Sequence, residues 1–379
     1  MNFHLSEEHL LIKKTARDFA RNELKPGVID RDRNSTYPLN EVKRMAELGF
    51  LGMTVSEKYG GGGMDTLSYS IAVEEISKID NSCSVILSAH NSLACWGIEK
   101  YGTESQKEKY LKKLAIGETI GAFCLSEPES GSDATQQKTT AEDKGDHYLL
   151  NGTKNWITNG KKAGIYVVIA QSNRKKSYKG INAFIIDAGS KGLSTGPKED
   201  KLGIRSSDTC SVMFQDVVVP KENRLGPDGF GFKYAMKTLE GGRIGIASQA
   251  LGITEGAYEL SLNYSKQRKT FGQTINQHQA IAFKLAEMAT DIEAAKLLVQ
   301  KSAYEKDNQK PYGLSSSMAK LFASEMAMKH TVEAVQILGG YGFVKDYHVE
   351  RLMRDAKITQ IYEGTSEIQK IIISRGILK

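Results

Sequence analysis

The chain has 379 residues, 40% of them hydrophobic, and no apolar run near the roughly 20 residues that a membrane-spanning helix needs. That composition excludes a disordered or fibrous chain and leaves length for two or three cooperating domains. Its 51 basic and 45 acidic residues, a formal charge of +6, are interspersed rather than gathered into a stripe, which argues against nucleic-acid binding and suits a polyanionic small molecule.

The opening stretch from Met1 to Glu8 has no basic leader or apolar core and carries acidic residues, so the expected location is the cytoplasm. Residues 1–120 read as a helical N-terminal domain. Ser6 is placed to cap a helix, Glu7 and Glu8 suit its first turn, and Leu5, Ile12, Ala16, Phe19 and Leu24 recur at helical spacing. The glycines of Lys58 to Gly63 predict a loop. Cys83, Cys95, Cys124 and Cys210 match neither a metal clip nor a disulfide framework, which predicts reduced, mostly buried thiols and no metal.

Over 121–228 the pattern shortens to β-rich runs at Tyr148 to Leu150, Ile165 to Gln171, Ala183 to Asp187 and Cys210 to Val219, a middle β-domain. Asn151-Gly152 and Asn159-Gly160 read as hairpin turns. From 229 to 379 long helical patterns return, at Phe230 to Lys266, Asn276 to Asp307 and Ser315 to Leu338, and a helix bundle is their natural packing. Gly245, Ala247, Ser248, Ala250, Gly252, Gly256 and Ala257 would let backbones approach closely. The fold class is α+β: helical, β, helical.

Five segments can carry chemistry, each with an ordinary alternative. Phe123 to Asp133 is polar and turn-forming, either a plain loop around Pro128 or the lining of a ligand's polar edge. Asn155 to Gly160 puts Trp156 and Thr158 two positions apart, hence on one side of a strand where they can meet a planar ring; alone, Trp156 reads as core. Tyr264 to Gly272 is either a solvated cationic helix end or a phosphate grip by Arg268. The glycines of Gln336 to Gly342 cap a helix or expose amides to a ligand. In Gln360 to Gln369, Ser366 and Gln369 have capping-box spacing, which sets Glu363 on a glycine-flanked turn just before a helix. That Glu is either a surface charge or, beside Ile361 and Tyr362, a carboxylate with a raised pKa able to act as a general base.

In this order, and over essentially the whole chain, these segments resemble the acyl-CoA dehydrogenase family, most closely its short-chain or butyryl-type members. The resemblance implies an N-terminal helical domain, a middle β-domain and a C-terminal four-helix bundle, assembled as a homotetramer with FAD held between domains and across a subunit interface. It implies that Phe123, Cys124, Leu125, Ser126, Gly131, Ser132, Trp156, Ile157 and Thr158 surround the isoalloxazine, with Thr158 near flavin N5. Arg268, Phe271, Gln279, Gln336, Ile337, Leu338, Gly339 and Gly340 would touch the FAD of a neighbouring subunit, while Thr365, Ser366 and Glu367 would touch the pyrophosphate and adenosine side of the cofactor. Ser132, Glu240, Arg243 and Gly364 would contact the acyl-CoA.

The implied reaction is α,β-dehydrogenation of a short- to medium-chain acyl-CoA to a trans-2-enoyl-CoA in fatty acid metabolism. Glu363 would take the α-proton, flavin N5 the β-hydride, and an electron-transferring flavoprotein the electrons. One branch of the family places its base immediately before the equivalent of Arg243, but Gly242 stands there and cannot serve. Related alternatives are an acyl-CoA oxidase or a flavin monooxygenase of the same fold and, in a different class, a DNA-binding relative.

Overall fold

The computed structural model describes residues 4–378. Helix α1 (Glu7–Phe19) starts where Ser6 Oγ accepts the His9 N–H at 3.2 Å, and it buries Ile12, Ala16 and Phe19. Helix α2 (Thr66–Ser77) is capped by Asp65, which accepts the Ser68 N–H at 2.7 Å, and is buried along almost its whole length. It packs against both α1 and the longest helix of the chain, so neither of its faces meets water. Helix α3 (Asn81–Ser88) runs into a wide π-type turn over Ala89–Cys95 that carries Leu93. All four cysteines are unpaired and buried.

The middle region is one mixed sheet. Its strands are β1 (Ile120–Cys124), β2 (Thr140–Asp143), β3 (His147–Ile157), β4 (Ala163–Gln171), β5 (Ile181–Asp187), β6 (Leu193–Lys198), β7 (Cys210–Pro220) and β8 (Arg224–Leu225). They lie in the order β6-β7-β3-β2-β4-β5-β8, with β1 parallel to β4. The unbroken apolar run of β4 is explained by burial on two sides. Ile165, Val167 and Ile169 join a core with Leu111, Leu114 and Tyr234, while Tyr166, Val168 and Ala170 join another with Phe184, Val212 and Phe214.

Neither Asn-Gly pair forms the expected hairpin turn. Asn151-Gly152 lies inside β3, where the Asn151 amide donates to Asp216 at 2.9 Å and braces an irregularity in the pairing with β7. Asn159-Gly160 does turn the chain, but between β3 and β4, which do not pair with each other, so it makes no hairpin. Phe123 and Cys124, read as belonging to a turn-forming segment, end the buried strand β1.

Helices α4 (Gly231–Gln267), α5 (Gln279–Asp307), α6 (Gly313–Leu338) and α7 (His348–Thr359) share one core that includes Leu251, Met288, Ala323 and Leu352, and α8 (Ser366–Ile377) lies along α6. The glycines of α4 meet α2: an added Cβ would lie 2.2 Å from the Glu74 carbonyl at Gly252 and 2.5 Å from that of Lys78 at Gly256. A buried polar hub ties the three regions together. Asp355 of α7 accepts from the Asn81 amide at 3.0 Å, the Ile204 N–H at 2.5 Å and Arg351 at 2.9 Å, while Gln249 of α4 donates to the Asn81 carbonyl at 3.1 Å.

Candidate active site

The turn between α7 and α8 holds Glu363 at φ 53° and Gly364 at φ 94°. A non-glycine residue in the left-handed region costs of order 1–3 kcal/mol and persists only where its surroundings enforce it. Four contacts do so. The Lys320 ammonium donates to the Gly364 carbonyl at 2.8 Å; the Gln369 amide donates to the same carbonyl at 2.8 Å and to that of Glu363 at 3.2 Å. Thr365 Oγ1 accepts the Ile368 N–H at 3.3 Å. Thr365 is therefore the cap in place of Ser366, whose hydroxyl turns instead to Glu325. Gly364 is needed twice over, by its φ and because a Cβ would meet the Gln369 amide nitrogen at 2.8 Å.

The Glu363 carboxylate points at α4. An added Cβ on Gly242 would lie 2.1 Å from Glu363 Oε2 and 2.9 Å from the Leu93 side chain, so the carboxylate fills the space that a side chain at 242 would take. Oε2 is buried and has no hydrogen-bond partner among the described residues. Burial pushes the carboxyl up to about 7, against the opposing pull of the Arg243 and Lys320 cations. Next to it, Tyr362 donates its hydroxyl to Gln249. Arg243 is buried one residue beyond Gly242, with Nη1 on Ser317 Oγ at 3.3 Å and Nε unpartnered among the described residues; burial lowers its pKa, opposed by Glu363 and Glu240. Glu240, a turn earlier, accepts from Lys237 at 2.8 Å.

A second group forms where β1 leaves the sheet. Leu125 is buried, and the Ser126 carbonyl accepts the Asn155 N–H at 2.8 Å, which fastens the first segment to the second. That N–H is free to reach Ser126 because β3 is irregular between Lys154 and Ile157, with Trp156 at φ 60°. β3 ends at Ile157, so the alternation that puts Trp156 and Thr158 on one side does not extend to Thr158. Trp156 is 61% exposed rather than core, Ile157 is buried and Thr158 half-buried. Gly131 and Ser132 are exposed on the loop that follows.

Beneath this loop the fully buried Lys154 ammonium donates to Glu127 at 2.7 Å, Gln137 at 2.5 Å and the Leu125 carbonyl at 3.0 Å. Glu127 also accepts the N–H groups of Lys138 at 2.6 Å and Thr139 at 3.0 Å.

The third group is remote. Arg268 ends α4, and with Tyr264, His278, Ile337, Gly339 and Gly340 it lines a cavity of about 980 Å³. Its guanidinium makes no hydrogen bond or ion pair among the described residues. The hairpin of β9 (Lys269–Thr270) and β10 (Gln273–Thr274) presents Phe271 98% exposed at its tip. Gln279 and Gln336 are exposed nearby in sequence but do not line the cavity, whereas Leu338 does. The Gly339 N–H caps α6 by bonding the Val335 carbonyl at 3.0 Å, which is the helix-cap reading of that segment. Arg268 stands 26 residues along α4 from Gly242, about 39 Å at 1.5 Å per residue.

Lys154, Lys320 and Leu93 escape sequence reasoning, and Gln369, read as half of a capping box, instead holds the Glu363 and Gly364 carbonyls. The first two had a signal. Tyr148, Leu150 and Lys154 share one parity on β3, and Lys320 shares a face with Ser316, Ala323 and Ala327 on α6, so each lysine falls on a buried face.

Comparison with known proteins follows the same division of the chain. Family models described as the acyl-CoA dehydrogenase N-terminal, middle and C-terminal domains match residues 6–118, 122–217 and 229–378. The short-chain specific acyl-CoA dehydrogenase of Clostridium acetobutylicum is 51% identical over 379 residues, all of both chains. The solved butyryl-CoA dehydrogenase of Megasphaera elsdenii is 48% identical with a TM-score of 0.99, again over all of both chains. A chain from a solved structure concerned with the electron transferring flavoprotein of Acidaminococcus fermentans and flavin-based electron bifurcation is 50% identical, also with a TM-score of 0.99 and full coverage of both. No described helix is long and apolar enough to cross a membrane. With all three domain models matched and half of its residues shared with full-length relatives, this chain belongs to the acyl-CoA dehydrogenase family.

Proposed function

We propose that this protein is an FAD-dependent dehydrogenase of short- to medium-chain, straight acyl-CoA thioesters in fatty acid β-oxidation chemistry, with Glu363 as the base that removes the α-proton. The observation that carries the reading is the Glu363 carboxylate itself: buried, without a hydrogen-bond partner at Oε2 among the described residues, pressed against Gly242 and poised near pH 7. A base is most effective when its pKa lies near the working pH. An acyl thioester whose α-carbon reached Oε2 would meet an acceptor that costs no hydrogen bond to use.

The residues present fit the cofactor. Trp156 offers an exposed indole, and Arg268 offers a guanidinium that has no partner among the described residues over an open cavity. Bound FAD would supply the two-electron acceptor that side chains lack. Phe123 to Ser126, Gly131, Ser132 and Trp156 to Thr158 would hold its ring, and Thr365 to Glu367 its pyrophosphate and adenosine side. The chain's own work is to bind the thioester near Arg243, Glu240, Ser132 and Gly364, to exclude water around Glu363, and to take up the α-proton at Oε2.

The separation of about 39 Å along α4 favours a neighbour's cofactor for the Arg268 cavity, which Phe271, Gln279 and Gln336 to Gly340 would flank. That supports an assembly of more than one copy of the chain, for which the homotetramer implied by the family resemblance is the proposed form. Three units, 1–120, 121–228 and 229–379, would fold around the site. An electron-transferring flavoprotein is the proposed acceptor, and the four unpaired thiols suit a cytoplasmic setting.

Glu363→Gln is expected to keep the fold and the bound flavin while losing about 10²- to 10⁴-fold or more in dehydrogenase rate, since the amide cannot accept a proton. The check is anaerobic bleaching of the flavin band by acyl-CoAs of graded length. Wild-type rates in the variant would refute the assignment.

A further inference from the structure

Lys320 is fully buried on α6, yet its ammonium, with three protons to donate, bonds a single neutral acceptor among the described residues, the Gly364 carbonyl at 2.8 Å. A buried cation so poorly served is costly unless a nearby anion compensates it. Glu325 and Glu367 act on it, but Glu325 is engaged by the Ser366 hydroxyl and Glu367 is exposed; Glu363 is the largest attractive influence. The Gln369 amide reaches the same turn from α8, holding the carbonyls of both Glu363 and Gly364. Two side chains from two helices thus grip a turn of two consecutive left-handed residues, and only one of them carries charge.

We propose that Lys320 and Gln369 are positioning residues for Glu363, Gln369 by geometry alone and Lys320 by geometry together with a buried charge that keeps the carboxylate available as a base. This rests on the reading of Glu363 as the base. The groups that face Glu363 are Arg243 from α4, Lys320 from α6, Tyr69 from α2 and Tyr362 from its own turn, with Leu93 as the apolar wall. Arg243 and Lys320 are the two cations, and they hold the carboxyl at about 7 against burial, which alone would carry it higher. Lys320 is itself lowered to about 8 by burial and so is mostly charged at neutral pH.

The test uses the FAD-loaded enzyme and the pH dependence of kcat/KM, whose acid limb reports the free enzyme's base. Lys320→Met is expected to move that limb upward by about one pH unit or more, the scale of one removed neighbouring charge. Gln369→Leu is expected to lower kcat while leaving the limb in place. Lys320→Gln keeps a donor for the Gly364 carbonyl without the charge, and it should shift the limb as Lys320→Met does even if the methionine variant folds poorly.

A difference infrared titration of the protonated carboxyl, wild type against Glu363→Gln and without substrate, should show the same shift directly. An unmoved limb and unmoved carboxyl in both Lys320 variants would overturn the proposal. Full activity in Glu363→Gln would instead overturn the assignment of the base, so the two failures are distinguishable.

Discussion

Gly242 and Glu363 occupy one volume between them. Because the atom that a Cβ at 242 would strike is the far end of a flexible side chain, Gly242→Ala should fold normally while pushing the carboxylate aside. We expect a melting temperature close to wild type and a loss of roughly 10²-fold in the rate of flavin reduction, the cost of misplacing a reacting group by about 1 Å. A variant reduced as fast as wild type would show that the carboxylate can work from elsewhere. At this scale the sequence is partly legible. The apolar flanks of Glu363 and its glycine hinge are local and can be read, whereas the contact with Gly242 joins residues 121 apart and cannot. Local pattern makes Trp156 look like core, whereas its exposure depends on a break in strand pairing with β7 that no local pattern encodes.

At the scale of elements, the long helices are the most legible. Observed bounds of Gly231–Gln267, Gln279–Asp307 and Gly313–Leu338 depart by at most three residues from the runs read off hydrophobic periodicity and end signals. Strands β1, β2, β6 and β8 escape notice because they are short, and only four residues separate β1 from the preceding helix, which ends at Ala115. The small-residue stripe of α4 is legible as a close-packing face but not as the seat of α2.

That contact gives a prediction opposite in kind to Gly242→Ala. At Gly252 a Cβ would lie 2.2 Å from the backbone carbonyl of Glu74, which cannot swing away, so Gly252→Ala must push α2 and α4 away from each other. The expected cost is about 1–3 kcal/mol, read from the denaturant midpoint, with the activity of the folded fraction retained. An unchanged midpoint would mean that α2 is free to slide.

For the whole molecule, the order helical, β, helical follows from changes in pattern along the chain, while the way the three regions meet does not. Their junction is polar. Asn81 lies just after α2, Ile204 between β6 and β7, and Asp355 within α7, so no segment alone shows that they converge. Removing the charge of Asp355 would leave Arg351 buried without its partner. Breaking a buried pair in that way typically costs about 3–5 kcal/mol.

The consequence concerns how the molecule comes apart. The Ser206 N–H also donates to Ser82 Oγ at 3.2 Å, so opening any one region strips hydrogen-bond partners from the other two, and the regions should lose structure in a single calorimetric event rather than in sequence. In Asp355→Asn, which keeps the shape of the side chain but not its charge, that event should fall to lower temperature and broaden or divide as the regions begin to melt on their own. A wild-type scan already resolved into separate steps would mean that the hub orients the regions without coupling their unfolding.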